Sequence, residues 1–331
     1  MKPLIAITIG DFNGVGPEIA LKSVLHPSIK KCCRPILIGP IDIFKHTAHK
    51  CKLKIKLLKA TESTILKSTF PVLDVGDGIG ADIQFGVPTK SSGRSAGVAL
   101  ERAIELCNQN KIAAMVTAPI SKEAFHFAGY NFPGQTEMIA LLNHSQKVTM
   151  MLLSQTMRIG LVTIHTGIRN VAPQISIEKI VEKVTIINDS LRTDFRINTP
   201  KIAVLALNPH AGEKGIIGTE ETDIITPAIS ECSAIGINVD GPFSADAFFG
   251  THQYKSFDCI VAMYHDQGLI PLKMMSFGKG VNFSAGLKII RTSPDHGTAY
   301  DIAGKNKANP SSMIEAIKVA VQISKNRNTH D

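Results

Sequence analysis

This sequence of 331 residues lacks several features that would assign it to a simple class. It has no Trp and only four Tyr, and its six cysteines are scattered without Cys-x-x-Cys spacing. Scattered cysteines argue against a thiolate metal site or a disulfide framework, so buried or free thiols are the simpler interpretation. No apolar run approaches the roughly 20 residues of a membrane helix, and the N-terminus is a poor signal peptide. We therefore expect a cytoplasmic protein without a membrane partner.

Acidic charge is also in short supply, and the formal net charge at neutral pH is +8. The basic residues are not massed in one segment, and the scarcity of Trp and Tyr leaves few platforms on which nucleobases could stack. We therefore expect no nucleic-acid partner. The favoured interpretation is a field that attracts small anions such as phosphates, carboxylates or dinucleotides, and the alternative is a basic surface without a function.

Short apolar runs rich in β-branched residues alternate with helical patterns. Most of these runs are continuous rather than alternating, which is typical of strands covered on both faces. The predicted strands are residues 4–9, 35–38, 112–117, 158–164, 202–207 and 259–264. The order of elements predicts an α/β fold with a largely parallel sheet.

Amphipathic helices are predicted between the strands, over residues 95–108, 176–191 and 311–323. Ser176 is the expected N-cap of the second helix, whose apolar residues share one face. Pro227 should either kink the helical stretch 220–235 or mark its true start. Segments rich in Gly and Pro, residues 74–88 and 129–134, are candidate crossings between two domains.

Three histidines follow three of the predicted strands. His165 comes directly after the strand 158–164, His210 follows the strand 202–207, and His265 follows the strand 259–264. In open α/β sheets, ligands bind beyond the carboxyl ends of the strands, and three imidazoles there would suit a metal site with an open position. Chance or capping is the alternative. Strand order cannot be deduced from the sequence, so a subunit interface could supply one of the three.

Two loops open helices in ways that suit an anion. The Gly-rich loop 10–18 has neither Rossmann nor P-loop spacing, and a tight turn with Pro17 in the first helical turn explains it equally well. Gln135 and Thr136 open another helix and could donate hydrogen bonds to an oxyanion, unless Thr136 is simply an N-cap.

Further polar residues of suitable chemistry come late in the chain. Lys273 and Arg291 carry the charges that favour phosphate, Lys as a point charge and Arg as a planar fork. Asn282 follows the glycines 278 and 280, and a dense polar loop spans residues 295–305. Taken singly, each of these would be an ordinary surface feature.

Together these motifs resemble those of the PdxA family, the 4-hydroxythreonine-4-phosphate dehydrogenases of vitamin B6 biosynthesis. The resemblance covers nearly the whole chain. It rests on Ile-Gly-Asp and Gly-Val-Gly-Pro-Glu within residues 9–18, Phe-Pro-Gly-Gln-Thr-Glu at 132–137, Asn-Pro-His-Ala-Gly-Glu at 208–213, Tyr-His-Asp-Gln-Gly at 264–268, and Arg-Thr-Ser-Pro-Asp-His-Gly-Thr-Ala at 291–299.

The resemblance implies a two-domain fold like that of isocitrate and isopropylmalate dehydrogenases, with a cleft between the domains. The first domain would comprise residues 1–130 with 285–331 and would lie on the NAD side. The second would comprise residues 131–284 and would hold the metal ligands and the dimer interface. A homodimer that shares its active site between subunits is also implied.

The same resemblance assigns roles to individual residues. It implies a divalent metal (Zn²⁺, Mg²⁺, Mn²⁺ or Co²⁺) on His165, His210 and His265, with His265 reaching in from the other subunit. Substrate positions are implied at Gln135, Thr136, Lys273, Asn282 and Arg291. NAD or NADP is expected on the loop 296–304, at His296, Gly297, Thr298, Asp301 and Gly304.

The implied reaction is oxidation of 4-phosphooxy-L-threonine to a β-keto acid, which decarboxylates to 3-amino-2-oxopropyl phosphate. Asp246 and Asp266 are candidates for the general base or for groups that orient a metal ligand. One departure matters, because the family usually has His where this chain has Gln135, and Gln cannot carry a positive charge. A related four-carbon phosphorylated acid, such as phospho-threonate or phospho-erythronate, is therefore an alternative substrate. A metal-dependent hydrolase or lyase and a non-catalytic binding protein are the remaining alternatives.

Overall fold

The computed structural model describes residues 2–76 and 83–328. The chain forms two compact units, one of residues 1–146 with 287–325 and one of residues 147–286 with 326–331. The sequence predicts boundaries at 130/131 and 284/285. The candidate crossing at 129–134 lies inside the first unit, because the helix after it stays there: Asn143, at the end of that helix, donates to Asn108 Oδ1 at 2.6 Å. Part of the candidate crossing at 74–88, residues 77–82, lies outside the described residues.

In the described part of the first unit, six strands pair side by side, all in parallel. Their order is β3-β4-β2-β1-β5-β12, with elements numbered along the whole chain. The central strands are apolar and buried on both faces, as their continuous runs predict. The strands are β1 (Leu4–Thr8), β2 (Arg34–Ile38), β3 (Leu58–Ala60), β4 (Pro71–Leu73), β5 (Ala114–Thr117) and β12 (Arg291–Pro294).

The helices of the first unit begin at recognisable signals. Pro17 lies in the first turn of α1, and α4 begins at a capping box in which Thr89 and Ser92 bond each other's backbone N–H. The helices are α1 (Gly16–Leu25), α2 (Pro27–Cys32), α3 (Ile41–Lys50), α4 (Lys90–Asn108), α5 (Lys122–Phe127), α6 (Gln135–Leu142) and α11 (Ser311–Arg327), whose last two residues belong to the second unit.

In the described part of the second unit, six further strands pair in the order β11-β6-β7-β10-β8-β9. The strand β6 is antiparallel to both β11 and β7, and the other pairs are parallel. The strands are β6 (Thr149–Leu153), β7 (Arg158–Leu161), β8 (Ile202–Leu205), β9 (Val239–Phe243), β10 (Cys259–Ala262) and β11 (Val281–Ala285). The core of this unit includes Leu161, Leu205, Phe248 and Ile260.

The helices of the second unit are α7 (Ile177–Thr193), α8 (Thr226–Ala234), α9 (Ala245–Gly250) and α10 (His265–Ser276). Ser176 is the N-cap of α7, because its side chain accepts from Lys179 N at 3.2 Å, as predicted. Pro227 lies in the first turn of α8, directly after a π-helical turn (Glu221–Ile225) that runs into it. The helical stretch therefore begins before the proline, and its hydrogen-bond pattern changes there. Among the described helices, none has both the length and the apolar composition needed to cross a membrane.

The prediction of an α/β fold with a largely parallel sheet is confirmed, and all six predicted strands are present. Six strands were missed. Two of them, β3 and β4, have only three residues each, while β9 contains a Gly-Pro pair and β12 is polar. Nothing in the sequence indicates that β6 runs antiparallel to β11 and β7.

Candidate active site

The three histidines follow three strands that are neighbours in the second unit. Val261 of β10 pairs with Gly160 of β7 on one side and with Val204 of β8 on the other, and both pairs are parallel. Because parallel neighbours end at the same edge of a sheet, the loops that carry the histidines leave from one edge. This adjacency is the feature of the site that the sequence could not supply.

His165 and His265 lie close together. Their ring centroids are 5.8 Å apart, and both rings line a cavity of about 290 Å³ whose wall also includes Val171. The Nδ1 atom of His265 lies 2.6 Å from Asp266 Oδ1. A hydrogen bond at Nδ1 leaves Nε2 as the ring atom that can bind a metal, so Asp266 orients its neighbour.

His210 lies on an exposed loop with an unusual backbone. Residues 210–214 all have positive φ, so four non-glycine residues, two on each side of Gly212, adopt the left-handed conformation. The pKa of Asp246 is lowered, first by the hydrogen bond from Ser244 Oγ at 2.6 Å and to a smaller extent by the neighbouring His210. Asp246 is therefore a carboxylate beside the second-unit loop that carries the third imidazole.

The donor chemistry of the three imidazoles fits a divalent metal. Imidazole nitrogen is a good ligand for Zn²⁺ and also for Co²⁺. Within residues 2–76 and 83–328, however, no three side chains of His, Cys, Asp or Glu gather closely enough to hold an ion. The chain thus brings His165 and His265 together and leaves His210 beside Asp246.

Arg291 lies in the first unit at the start of β12, and its side chain is only 3% exposed. Its Nη2 donates to Thr117 Oγ1 at 2.9 Å and its Nε to the same oxygen at 3.1 Å. Burial lowers the pKa of Arg291 to about 10, and Glu137 acts in the opposite direction. The guanidinium therefore keeps its charge at neutral pH in a largely desolvated position.

Gln135 and Thr136 contact the guanidinium of Arg291. Arg291 Nη1 donates to Thr136 Oγ1 at 3.4 Å, and Nη2 lies 3.5 Å from Gln135 Oε1. Gly134 is the N-cap of α6, so Thr136 is not a cap, and that alternative is wrong. The amide of Gln135 also donates to Ala118 O at 3.2 Å. Three of the five predicted substrate residues thus form one hydrogen-bonded group in the first unit.

The other two predicted substrate residues belong to the second unit. Lys273 is exposed on α10. Asn282 lies on β11, and its side-chain Oδ1 is buried without accepting a hydrogen bond from any described residue. A buried acceptor without a donor is rare, and it marks a place where a ligand donor would be stabilising.

The predicted dinucleotide loop lies in the first unit and packs against the Gly-rich loop 10–18. Val15 N donates to Thr298 O at 2.9 Å, and a Cβ on Gly14 would lie 2.7 Å from that same oxygen. Tyr300 OH donates to Asp11 Oδ2 at 2.7 Å. The Gly-rich loop is buried and packs against the later loop, which supports the tight-turn interpretation rather than an anion site.

The predicted cofactor residues are mostly on the outer side of their loop. His296, Gly297 and Asp301 are exposed. Gly304 has a φ of +68°, and a Cβ there would lie 2.8 Å from the ring of Phe85, so only glycine fits that position. Sequence reasoning missed Asp11 and Tyr300 as partners, although Asp11 stands inside a motif that it singled out.

An α/β protein with histidines at the carboxyl edge of parallel strands and a buried arginine belongs to the class of enzymes that bind anionic substrates. A family model, that of the pyridoxal phosphate biosynthetic protein PdxA, matches residues 31–320. A 4-hydroxythreonine-4-phosphate dehydrogenase of Trichlorobacter lovleyi is 42% identical over 332 residues, covering 98% of this chain and 99% of that protein.

Two further comparisons agree. A putative D-threonate 4-phosphate dehydrogenase of Oceanobacillus iheyensis is 40% identical over 97% of this chain and 98% of its own. The crystal structure of a 4-hydroxythreonine-4-phosphate dehydrogenase from Klebsiella pneumoniae has a TM-score of 0.88 and 34% identity, covering 98% of each chain. The chain belongs to the PdxA family, and it is an oxidoreductase of the dehydrogenase type.

Proposed function

We propose that this enzyme oxidises 4-phosphooxy-L-threonine with NAD or NADP and a divalent metal. The product would be a β-keto acid that loses CO₂ to give 3-amino-2-oxopropyl phosphate. The observation that carries the proposal is the placing of His165, His210 and His265 after three adjacent parallel strands. Membership of a family whose members are named as dehydrogenases of a phosphorylated substrate supports it.

The metal would be held by His165 and His210 together with His265 of the second copy of the chain, and Asp266 would orient His265 through the contact at Nδ1. A bound nicotinamide dinucleotide would supply the hydride acceptor, and a divalent cation would supply positive charge next to the substrate hydroxyl. Asp246 is the proposed base for the hydroxyl proton, because Asp266 is already engaged with His265. Zn²⁺ suits three imidazoles best, and Co²⁺, Mn²⁺ and Mg²⁺ are the other ions to test.

A homodimer is part of the proposal. The helix that begins at His265 exposes Ile270 and Met274, and Phe277 follows at its left-handed C-cap; Met274 and Phe277 are 71% and 84% exposed. Ile270 and Met274 are spaced four apart and share one face of the helix, so this face and the end of the helix are apolar where solvent would favour polar residues. A second copy covering it would bury the helix whose first residue is a proposed metal ligand.

Charged and amide side chains would bind and orient the substrate. The buried guanidinium of Arg291 and the ammonium of Lys273 would bind the phosphate, and the open acceptor of Asn282 would receive a donor of the substrate. Fixing these groups supplies the entropic part of catalysis. The loop 296–304 would bind the dinucleotide.

A second candidate is a dehydrogenase of phospho-threonate or phospho-erythronate. It is favoured by Gln135, which replaces the usual His and whose Oε1 lies 3.5 Å from Arg291 Nη2. It is also favoured by a relative named as a putative D-threonate 4-phosphate dehydrogenase. A cytoplasmic location suits either substrate, and the six cysteines are free, as expected in a reducing compartment.

The deciding experiment follows the absorbance of reduced dinucleotide with each phosphorylated acid and each metal in turn. We expect the largest kcat/KM with 4-phosphooxy-L-threonine. A larger value with a phosphorylated threonate or erythronate would select the second candidate. Release of phosphate without dinucleotide reduction would indicate a hydrolase, and thermal stabilisation by ligand without turnover would indicate a binding protein.

A further inference from the structure

Glu221 has a buried carboxylate, and a buried charge is costly unless hydrogen bonds compensate for its lost hydration. The residue is 3% exposed and lies in the turn that precedes α8. Its Oε1 accepts from Leu207 N and from Asn208 N, each at 2.8 Å, and its Oε2 accepts from Asn208 Nδ2 at 2.9 Å. All three donors belong to the two residues that leave β8 toward the His210 loop.

The segment that Glu221 holds is strained. Residues 210–214 are left-handed, and His210 itself has φ 53°. L-residues disfavour this conformation, so a run of them persists only where the surroundings impose it. The carboxylate also fills the space beside Gly212, because a Cβ there would lie 2.5 Å from Glu221 Oε2. Glu221 therefore contacts the loop both before and after His210.

We propose that Glu221 is a positioning residue that holds the His210 loop in its left-handed, ligand-presenting conformation. Two backbone N–H donors on one carboxylate oxygen fix the direction in which the chain leaves β8, and charge-assisted hydrogen bonds are strong enough for this task. A loop on an exposed edge would otherwise sample many conformations, and the His210 imidazole would be aimed at the metal only some of the time. The role in metal binding rests on the proposed function.

The chain offers a matched control in the neighbouring residue. Glu220 is half-buried, and its Oε2 accepts from Asn208 Nδ2 at 2.7 Å. It thus reaches the same asparagine side chain, whereas Glu221 is the residue that binds the backbone N–H groups. Glu220→Gln removes a charge at the adjacent position and leaves those backbone hydrogen bonds in place.

The first test uses metal-free protein and hydrogen–deuterium exchange of the amides of Leu207 and Asn208. We expect at least tenfold faster exchange in Glu221→Ala, a smaller increase in Glu221→Gln, which keeps one acceptor oxygen, and wild-type exchange in Glu220→Gln. Glu221→Gln keeps the test decisive if Glu221→Ala does not fold. Wild-type exchange at both amides in Glu221→Gln and Glu221→Ala would overturn the role of Glu221.

The second test measures Co²⁺ affinity by titration, with the visible absorption of the bound ion as the signal. We expect Co²⁺ to bind Glu221→Gln at least tenfold more weakly than wild type, and Glu220→Gln within twofold of wild type. An unchanged Co²⁺ affinity in Glu221→Gln would refute the positioning of His210. Failure of the wild-type protein to bind Co²⁺ would instead overturn the metal assignment, and with it the ligand-presenting part of this role.

Discussion

The two units of the chain hold their candidate site residues in different ways. In the first unit, Arg291 is buried and bonded to Thr117, and Asp11 is buried and bonded to Tyr300. Hydrogen bonds to residues far away in the chain therefore hold these groups in fixed positions. If they bind substrate and dinucleotide as proposed, such preorganisation would reduce the entropy lost on binding.

The second unit presents its candidates on the surface. His165, His210 and Asp246 are exposed, and His265 is half-buried at the start of a helix with an apolar outer face. Two imidazoles are close together and the third is on a strained loop. The comparison teaches that the core of the first unit fixes its candidate residues, whereas under the proposed function a metal ion and a second copy of the chain would complete the site of the second unit. Four substitutions can break or sharpen that contrast.

The largest effect is expected from His210→Ala, because it removes a proposed metal ligand from the surface of the second unit. We expect kcat to fall by about 1,000-fold, equivalent to ~4 kcal/mol of transition-state stabilisation. Bound metal after dialysis should be lost, while the melting temperature of the metal-free protein should change by only a few degrees, since the side chain is exposed.

The control is His252→Ala, another exposed histidine of the second unit with a left-handed backbone, at φ 60°. It should keep both metal and activity. An active, metal-replete His210→Ala enzyme would remove this histidine from the site and would undo the contrast between the units.

The next effect in size is expected from Arg291→Ala in the first unit. Losing charge-assisted hydrogen bonds of about 1.5–3 kcal/mol should raise the KM for the phosphorylated substrate by roughly 10- to 100-fold. The KM for the dinucleotide should change less than about twofold, because the predicted dinucleotide loop is a separate segment. Arg291→Lys, which keeps the charge and loses the planar fork, should lie between. Equal losses of both affinities would mean that Arg291 only supports the fold.

A smaller effect is expected from Tyr300→Phe, which removes the donor to Asp11. Leaving a buried acceptor without this partner should lower the free energy of unfolding by about 1–3 kcal/mol and should raise the KM for the dinucleotide more than that for the substrate. Steady-state kinetics with each ligand varied in turn would measure this. If the KM for the substrate rose more, the loop 296–304 would not be the dinucleotide loop.

The same variant has a pH signature. Burial raises the pKa of Asp11 above 3.8, while the hydrogen bond from Tyr300 lowers it. Below pH 3.8 the folded and unfolded chains are both protonated, and as pH rises the unfolded chain ionises first, so the burial penalty grows until pH passes the folded pKa. Tyr300→Phe should therefore be more destabilising near pH 7 than near pH 4 in urea unfolding. Equal destabilisation at the two pH values would show that Asp11 does not ionise there.

The smallest effect is expected from Gln135→His. A neutral His can replace the amide in part, but its protonated form would repel the nearby Arg291. We expect the KM for the substrate to change only a few-fold at pH 8 and more near pH 6, where His is charged. A pH profile of kcat/KM for 4-phosphooxy-L-threonine and for a phosphorylated threonate would measure this. Identical profiles and selectivity would show that the departure from the family is inconsequential.

Much of the local structure was readable from local patterns. The apolar runs located β1, β2 and β5 of the first unit and the three strands before the histidines, and Ser176 is the helix cap that its position predicts. Such features depend on residues only a few positions apart, so a short stretch of the sequence is enough to predict them. With three residues, β3 is too short to show a pattern, and the polar β12 is paired with β5, which lies far away in the chain.

In the candidate site, too, the features set by nearby residues could be predicted and those set by distant partners could not. The residue types suited to metal and phosphate could be picked out from their chemistry and from the motifs that they form. Their partners could not, because Tyr300 and Asp11 are 289 positions apart, and Arg291 and Thr117 are 174 positions apart. A link of that length is formed only when the whole unit folds around its core.

Local order along the chain thus determined which segments are strands and helices, and which polar residues follow them, since side-chain periodicity and capping act over a turn or two. Only the tertiary structure determines that β7, β10 and β8 are neighbours, that Arg291 is buried and that Glu221 accepts hydrogen bonds from the segment before His210. Strand neighbours and buried contacts arise from the packing of the complete core, and no single stretch of residues specifies them.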